Sequence, residues 1–188
     1  MIRTGDTLQN PVTGETLTFL TTAADTGGEL VLVECAVEPD GFVASPHVHP
    51  AQSETFTVVK GLLGIKAGGQ VTYLEPGESA VVEPGTGHRF WNAAGERAVF
   101  RCEIRPALQF ESLIETMFGL AEDGKVNAKG MPNPFRLAVI ANAHFDTVRL
   151  PYVPAAAQKA ALALGAPFGR LLGYQPTYTP AGNAAYAV

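Results

Sequence analysis

Four side chains able to hold a metal ion fall into two short stretches of this chain. Residues 41–61, Gly-Phe-Val-Ala-Ser-Pro-His-Val-His-Pro-Ala-Gln-Ser-Glu-Thr-Phe-Thr-Val-Val-Lys-Gly, carry His47, His49 and Glu54. Residues 77–92 carry His88, so three of the chain's four histidines lie in these two stretches. His47 and His49 are two apart, and on extended backbone both rings leave the same face. Glu54 follows a break at Pro50 and opens a stretch that reads as a strand as far as Lys60. Neutral imidazoles with one carboxylate suit a divalent transition metal: iron, manganese, nickel, cobalt, copper or zinc. The plain competitor is a polar surface patch. For the His47/His49 pair alone that reading would prevail; Glu54 and His88 tip the balance to a metal.

The elements that must position these residues are short strands. The spacing predicts strands over 16–22, 29–38, 47–49, 54–60, 62–67, 70–74, 79–83, 88–92 and 97–105. Turn chemistry separates nearly all of them, as at Pro39-Asp40-Gly41, Gly68-Gly69, Glu75-Pro76-Gly77 and Pro84-Gly85. Many short strands at such spacing argue an antiparallel sandwich or barrel. Residues 1–15 read as loop. Composition changes at Pro106. Leu113, Ile114, Met117, Phe118 and Leu120 then recur at helical spacing, up to Asp123-Gly124. Residues 134–145 read as a second helix and 154–164 as a third. A break is expected at Gly165-Ala166-Pro167, with one more turn over 168–172, and the last fifteen residues read as irregular. The division expected is a β-barrel domain over 1–106 and a helical extension over 107–188 packed on the barrel, with its first helix on the outer sheet face because the short connection at Pro106 leaves it beside the final strand.

At 188 residues, 46% apolar and 16% charged, the chain can bury a core. A net charge of −5 without a basic cluster argues against nucleic acid. No apolar run is long enough for a membrane span, and residues 1–14 lack the apolar core of a signal peptide. Cys35 and Cys102 fall on inward-facing parity and read as buried free thiols of a cytoplasmic protein, rather than as a disulfide or metal ligands.

The two stretches fit two spaced motifs. Gly41, His47, His49, Glu54 and Gly61 fit Gly-x5-His-x-His-x4-Glu-x6-Gly. Gly77, Gly85, His88 and Asn92 fit Gly-x5-Pro-x-Gly-x2-His-x3-Asn, with Glu83 standing for the proline. On these motifs the chain resembles the cupin superfamily over roughly residues 29–105, and within it small single-domain bacterial cupins with a short segment between the motifs. The resemblance implies a mainly β fold, a double-stranded β-helix or jelly roll, with one metal ion inside held by His47, His49, Glu54 and His88. If that ion is six-coordinate, two positions stay open for water, dioxygen or substrate. Glu83 replaces a residue that shapes a strand end and is not a ligand.

Among other residues, Phe56, Val58, Phe90 and Phe100 are expected to line the barrel as core. Trp91 should face outward. Gln52 and Arg89 flank ligands and are candidates to support them, with a solvated surface role equally open. Asn92 should hold a turn. His144 shares a helical face with Leu137, Ile140 and Ala141 and reads as a packing residue.

The function expected is a metal-dependent oxidoreductase of the dioxygenase kind, acting on a small organic substrate, with Glu54 as the one candidate proton shuttle. A non-catalytic binding or sensing module and a metal-dependent isomerase are the alternatives. A metal-independent sugar-nucleotide epimerase ranks last, because few Lys or Arg fall on inward positions. A homodimer is expected, paired through outward apolar residues such as Trp91 and Val99.

Overall fold

The computed structural model describes residues 2–43 and 45–180. Nine strands form two antiparallel sheets: β1 (Thr7–Asn10), β2 (Glu15–Thr21), β3 (Val31–Val37), β4 (Ser53–Lys60), β5 (Leu63–Ala67), β6 (Gln70–Leu74), β7 (Ser79–Val82), β8 (His88–Asn92) and β9 (Ala98–Arg105). The larger sheet has the order β1-β2-β3-β9-β4-β7 and the smaller the order β6-β5-β8. This is the jelly roll the sequence implies.

Strict alternation builds the core. Along β3 and β9 every second residue is buried: Val31, Val33, Cys35 and Val37 on one, Ala98, Phe100, Cys102 and Ile104 on the other. The two strands pair in one unbroken register from Val31↔Ile104 to Val37↔Ala98. A one-residue slip of either strand would turn its buried row to solvent, so the register is well specified. Asn92 acts as expected. Its amide donates to Val37 O and Glu96 O, and its carbonyl accepts from Ala94 N.

Three elements differ from the sequence reading. Residues 7–10 form a strand, because Leu8 and Asn10 alternate inward and pair with β2 across a tight turn. His47 and Val48 make only single bridges, to His88 and Arg149, so 47–49 is a pinned loop. The third helix runs unbroken through Pro167.

The helices are α1 (Phe110–Glu122), α2 (Pro134–Ala143) and α3 (Ala155–Leu171). Asn133 caps α2 through Phe135 N, with proline at the first helical position. Pro167 costs α3 one hydrogen bond, and Ala166 and Gly169, both buried, hold that turn in place. The sequence reading favoured the outer face of the barrel for α1. Instead, Phe110 and Phe118 join the cluster of Leu8, Leu17 and Phe100 on the inner face. Leu113 and Leu120 turn the other way, onto Ile140 of α2. The small sheet has half the strands of the large one, and α1, against β1, covers inner surface that it leaves bare.

Candidate metal centre

Local backbone brings the four predicted ligands together. His47 and His88 exchange both backbone hydrogen bonds, N to O at 3.0 and 2.8 Å. Gly85 N donates to His49 O and closes the loop from below. Glu54 sits on β4 with its side chain inward. One ligand atom from each of His47, His49, Glu54 and His88 lies within 4.8 Å of the others. An ion bound at about 2.0–2.2 Å keeps its ligand atoms within about 4.4 Å, so a small rotamer adjustment closes the set.

The ring tautomers point the same way. A carbonyl oxygen can only accept, so a histidine facing one must donate. His47 Nδ1 donates to Ser45 O at 2.9 Å, His49 Nδ1 to Thr147 O at 2.7 Å, and His88 Nδ1 to Thr86 O at 3.1 Å. When neutral, each ring therefore turns an unprotonated Nε2 inward. His49 Nε2, His88 Nε2 and Glu54 Oε2 are fully buried and find no hydrogen-bond partner outside the cluster. His88 Nε2 and Glu54 Oε2 are 2.7 Å apart. Two acceptors that close need a positive charge between them, either a proton on His88 or a metal ion.

Electrostatics agree. Burial alone would raise Glu54, but the charge of His49 and the hydrogen bond of His88 outweigh it and hold the carboxyl down to about 2. Burial, reinforced by the other two histidines, lowers His47 to about 3. Burial also pushes His88 down, yet its hydrogen bond to Glu54 and that carboxylate's charge bring it above the ordinary value. The cluster thus presents an ionised carboxylate and neutral His47, the protonation states that a divalent ion requires.

Gln52 holds the centre from behind. Its Oε1 accepts from His49 Nδ1 at 3.0 Å, and its Nε2 donates to Pro106 O and Ala107 O. The side chain is 1% exposed, so the surface alternative is excluded. Arg89 is different. It points outward over the Trp91 ring, and Trp91 lies across Gly64 beside Tyr73. His144 is buried with Nδ1 on Ile140 O and Nε2 near Ser112, away from the cluster, as expected of a packing residue.

The centre opens on a cavity of about 510 Å³. Phe56, Phe90 and Phe100, expected as plain core, line it, whereas Val58 is buried core and does not reach it. Sequence reasoning missed three contributors: the Thr147 carbonyl, the α1 residues Ile114 and Met117, and the buried carboxyl of Glu15. Alternation could have found Glu15, which shares parity with Leu17 and Phe19.

Residues 33–103 match the cupin domain family. Over those residues the chain carries a cupin domain. The helices lie outside the matched residues. No curated protein matches the chain. Among solved structures it is similar to KdgF from Halomonas sp., at 20% identity over 54% of this chain and 86% of that one, with TM-score 0.47. It is also similar to a predicted oxalate decarboxylase from Thermotoga maritima, at 15% identity over 56% of this chain and 98% of that one, with TM-score 0.49. A sugar phosphate isomerase from a cupin superfamily, from Silicibacter pomeroyi, matches at 23% identity over 51% of this chain and 62% of that one, with TM-score 0.45.

Proposed function

We propose that this protein is a metal-dependent oxidoreductase of the dioxygenase kind, acting on a small, largely apolar organic substrate. The observation that carries the reading is the convergence of three histidines and one carboxylate, of which His47, His49 and Glu54 line an apolar-walled cavity. His47, His49, Glu54 and His88 hold one divalent ion. When bound, the ion supplies Lewis acidity and open positions for substrate and dioxygen. The chain's own residues do the rest. Phe56, Phe90 and Phe100 exclude water and orient an apolar body. Glu54, whose carboxylate has a second oxygen free of metal binding, would be the residue that accepts and returns a proton. Among the described residues lining the cavity Arg149 is the single cation, and its Nη2 is paired with Asp146. That speaks for an apolar substrate over a phosphorylated one.

The test is metal analysis of protein purified without chelator, followed by oxygen uptake with a panel of enediols and flavonols. Near-stoichiometric metal and uptake with at least one substrate are expected, both lost in His49→Ala. Stoichiometric metal in that variant sinks the ligand assignment. Metal without uptake on any substrate turns the reading to a binding module.

We also propose a homodimer, because α3 and its flanks leave Leu164, Phe168 and Leu171 largely in water. A monomeric mass by light scattering ends that idea. The two buried free thiols suit a reducing cytoplasm, and among the described residues no helix is long and apolar enough to cross a membrane.

A further inference from the structure

The strand registers lay a diagonal track across the cavity floor. Glu54 pairs with Ile104, and Cys102 stands two residues further on the neighbouring strand β9. Cys102 pairs with Val33, and Cys35 stands two residues further on β3. Cys35 pairs with Leu17, and Glu15 stands two residues further on β2. Each step moves one strand across and two residues along, always in the same sense. All four side chains line the same cavity as His47 and His49. A diagonal step spans roughly 7–8 Å, so the track runs on the order of 20 Å from Glu54 to Glu15.

The far end is polar and uncommitted. Glu15 is buried, and its Oε2 accepts from Thr13 Oγ1 at 2.6 Å. Its other oxygen has no partner among the described residues. Asn10 pairs directly with Glu15 across β1 and β2 and also lines the cavity. Its Oδ1 accepts from Val12 N and Thr13 N, which leaves its amide nitrogen without a partner among the described residues. A turn stabilised by Thr13 needs one oxygen only, and a glutamine would serve it without burying an ionisable group. Burial raises this carboxyl to about 7, against the lowering effect of Thr13, so near neutrality it offers both a donor and an acceptor form.

We propose that the cavity is a two-ended site for an elongated ligand. One end coordinates the metal, an apolar body lies along Cys102 and Cys35, and the other end carries a hydroxyl or amide that hydrogen-bonds Glu15 and Asn10. This rests on the metal reading for its first end only.

The test is calorimetric titration of zinc-loaded protein with straight-chain hydroxamic acids, methyl-ended or hydroxyl-ended, lengthened one methylene at a time. At one length the hydroxyl-ended compound should bind about tenfold more tightly than its methyl-ended twin, a difference of about 1.4 kcal/mol. That gain should vanish in Glu15→Ala and largely survive in Glu15→Gln. Acetohydroxamate, too short to reach Glu15, should bind the wild type and Glu15→Ala alike, which shows that the variant is folded. Equal binding of both series at every length overturns the proposal. A separate arm uses n-octanol and metal-free protein: binding weakened about tenfold in Glu15→Ala supports the far end without the metal, by a loss the size of one hydrogen bond. Octanol binding indifferent to Glu15 overturns that end. Failure of acetohydroxamate to bind overturns the metal end, and with it the metal reading.

Discussion

Each histidine of the centre faces inward through Nε2 because a carbonyl occupies its Nδ1–H. For His49 that carbonyl belongs to Thr147, ninety-eight residues away in the chain, and Gln52 shares the same proton. Replacing Gln52 with leucine leaves Thr147 in place but frees the ring to rock. Metal affinity should fall about tenfold, the low end of the usual cost for such a support; competition with a chelator measures it, and unchanged affinity would show that Thr147 alone suffices. Glu15 yields a prediction of the opposite kind. Its carboxyl ionises near 4.5 when unfolded and near 7 when folded. The folded state therefore holds the proton more tightly. The stabilisation is complete below 4.5 and is lost as pH rises through 7. Glu15→Gln abolishes this dependence, so the variant should gain on the wild type between about pH 5 and pH 8, by up to about 3 kcal/mol. Taking the difference cancels the titration of His47 and Glu54. A melting-temperature gap that does not change with pH would refute it. The clustering of His47, His49, Glu54 and His88 was legible because their spacing is written along the chain. Glu15 was the harder case: its parity with Leu17 and Phe19 points inward, but a carboxylate next to a turn ordinarily faces water, and that expectation outweighs the parity.

Helices α2 and α3 meet through a glycine. A Cβ at Gly169 would lie 2.4 Å from Phe135 O and 2.5 Å from Val139 Cγ2. The first is backbone and cannot yield, so Gly169→Ala must push the helices apart. We expect a loss of about 1–3 kcal/mol. Gly165 on the same helix meets only the Ala138 Cβ, at 3.1 Å. There alanine's helix preference of about 1 kcal/mol offsets the tightness, so Gly165→Ala should be near neutral. Denaturant unfolding of the two variants checks the pair, and equal losses would mean that the contact is not decisive. The same packing explains why the expected break at Gly165-Ala166-Pro167 is absent. Local sequence carries the breaker signal, while the surface of α2 that overrides it is not visible in a one-dimensional pattern. The barrel strands were legible because alternation and turn residues are local. The strand β1 was hidden by its brevity and by the turn signals that follow it.

The two halves of the chain share one interior, and that sets what removal of the helices would do. Six strands face three, and the uncovered part of the large sheet is met by Phe110 and Phe118 from α1, which α2 then backs through Leu113, Leu120 and Ile140. The apolar stripe of α1 announced that it must pack on something. It did not announce where, because a stripe this broad fits an outer face or an inner one equally, and the deficit of the small sheet emerges only from strand order. We propose 1–106 and 107–188 as the two units of the chain, with the second completing the first. A fragment ending at Pro106 would expose the inner faces of Leu8 and Leu17 and leave His49 without the Thr147 carbonyl. Burying four large side chains such as Phe110, Leu113, Phe118 and Leu120 contributes very roughly 6–12 kcal/mol before entropy, comparable to the ~5–15 kcal/mol that a whole domain has to lose. The fragment should therefore be insoluble, or melt far below the intact protein, and any soluble portion should hold metal more weakly. A soluble 1–106 fragment with full metal content and an unchanged melting temperature would defeat this view. One that keeps its stability and metal but loses ligand binding would make the helices the wall of the binding cavity alone, with no share in holding the barrel together.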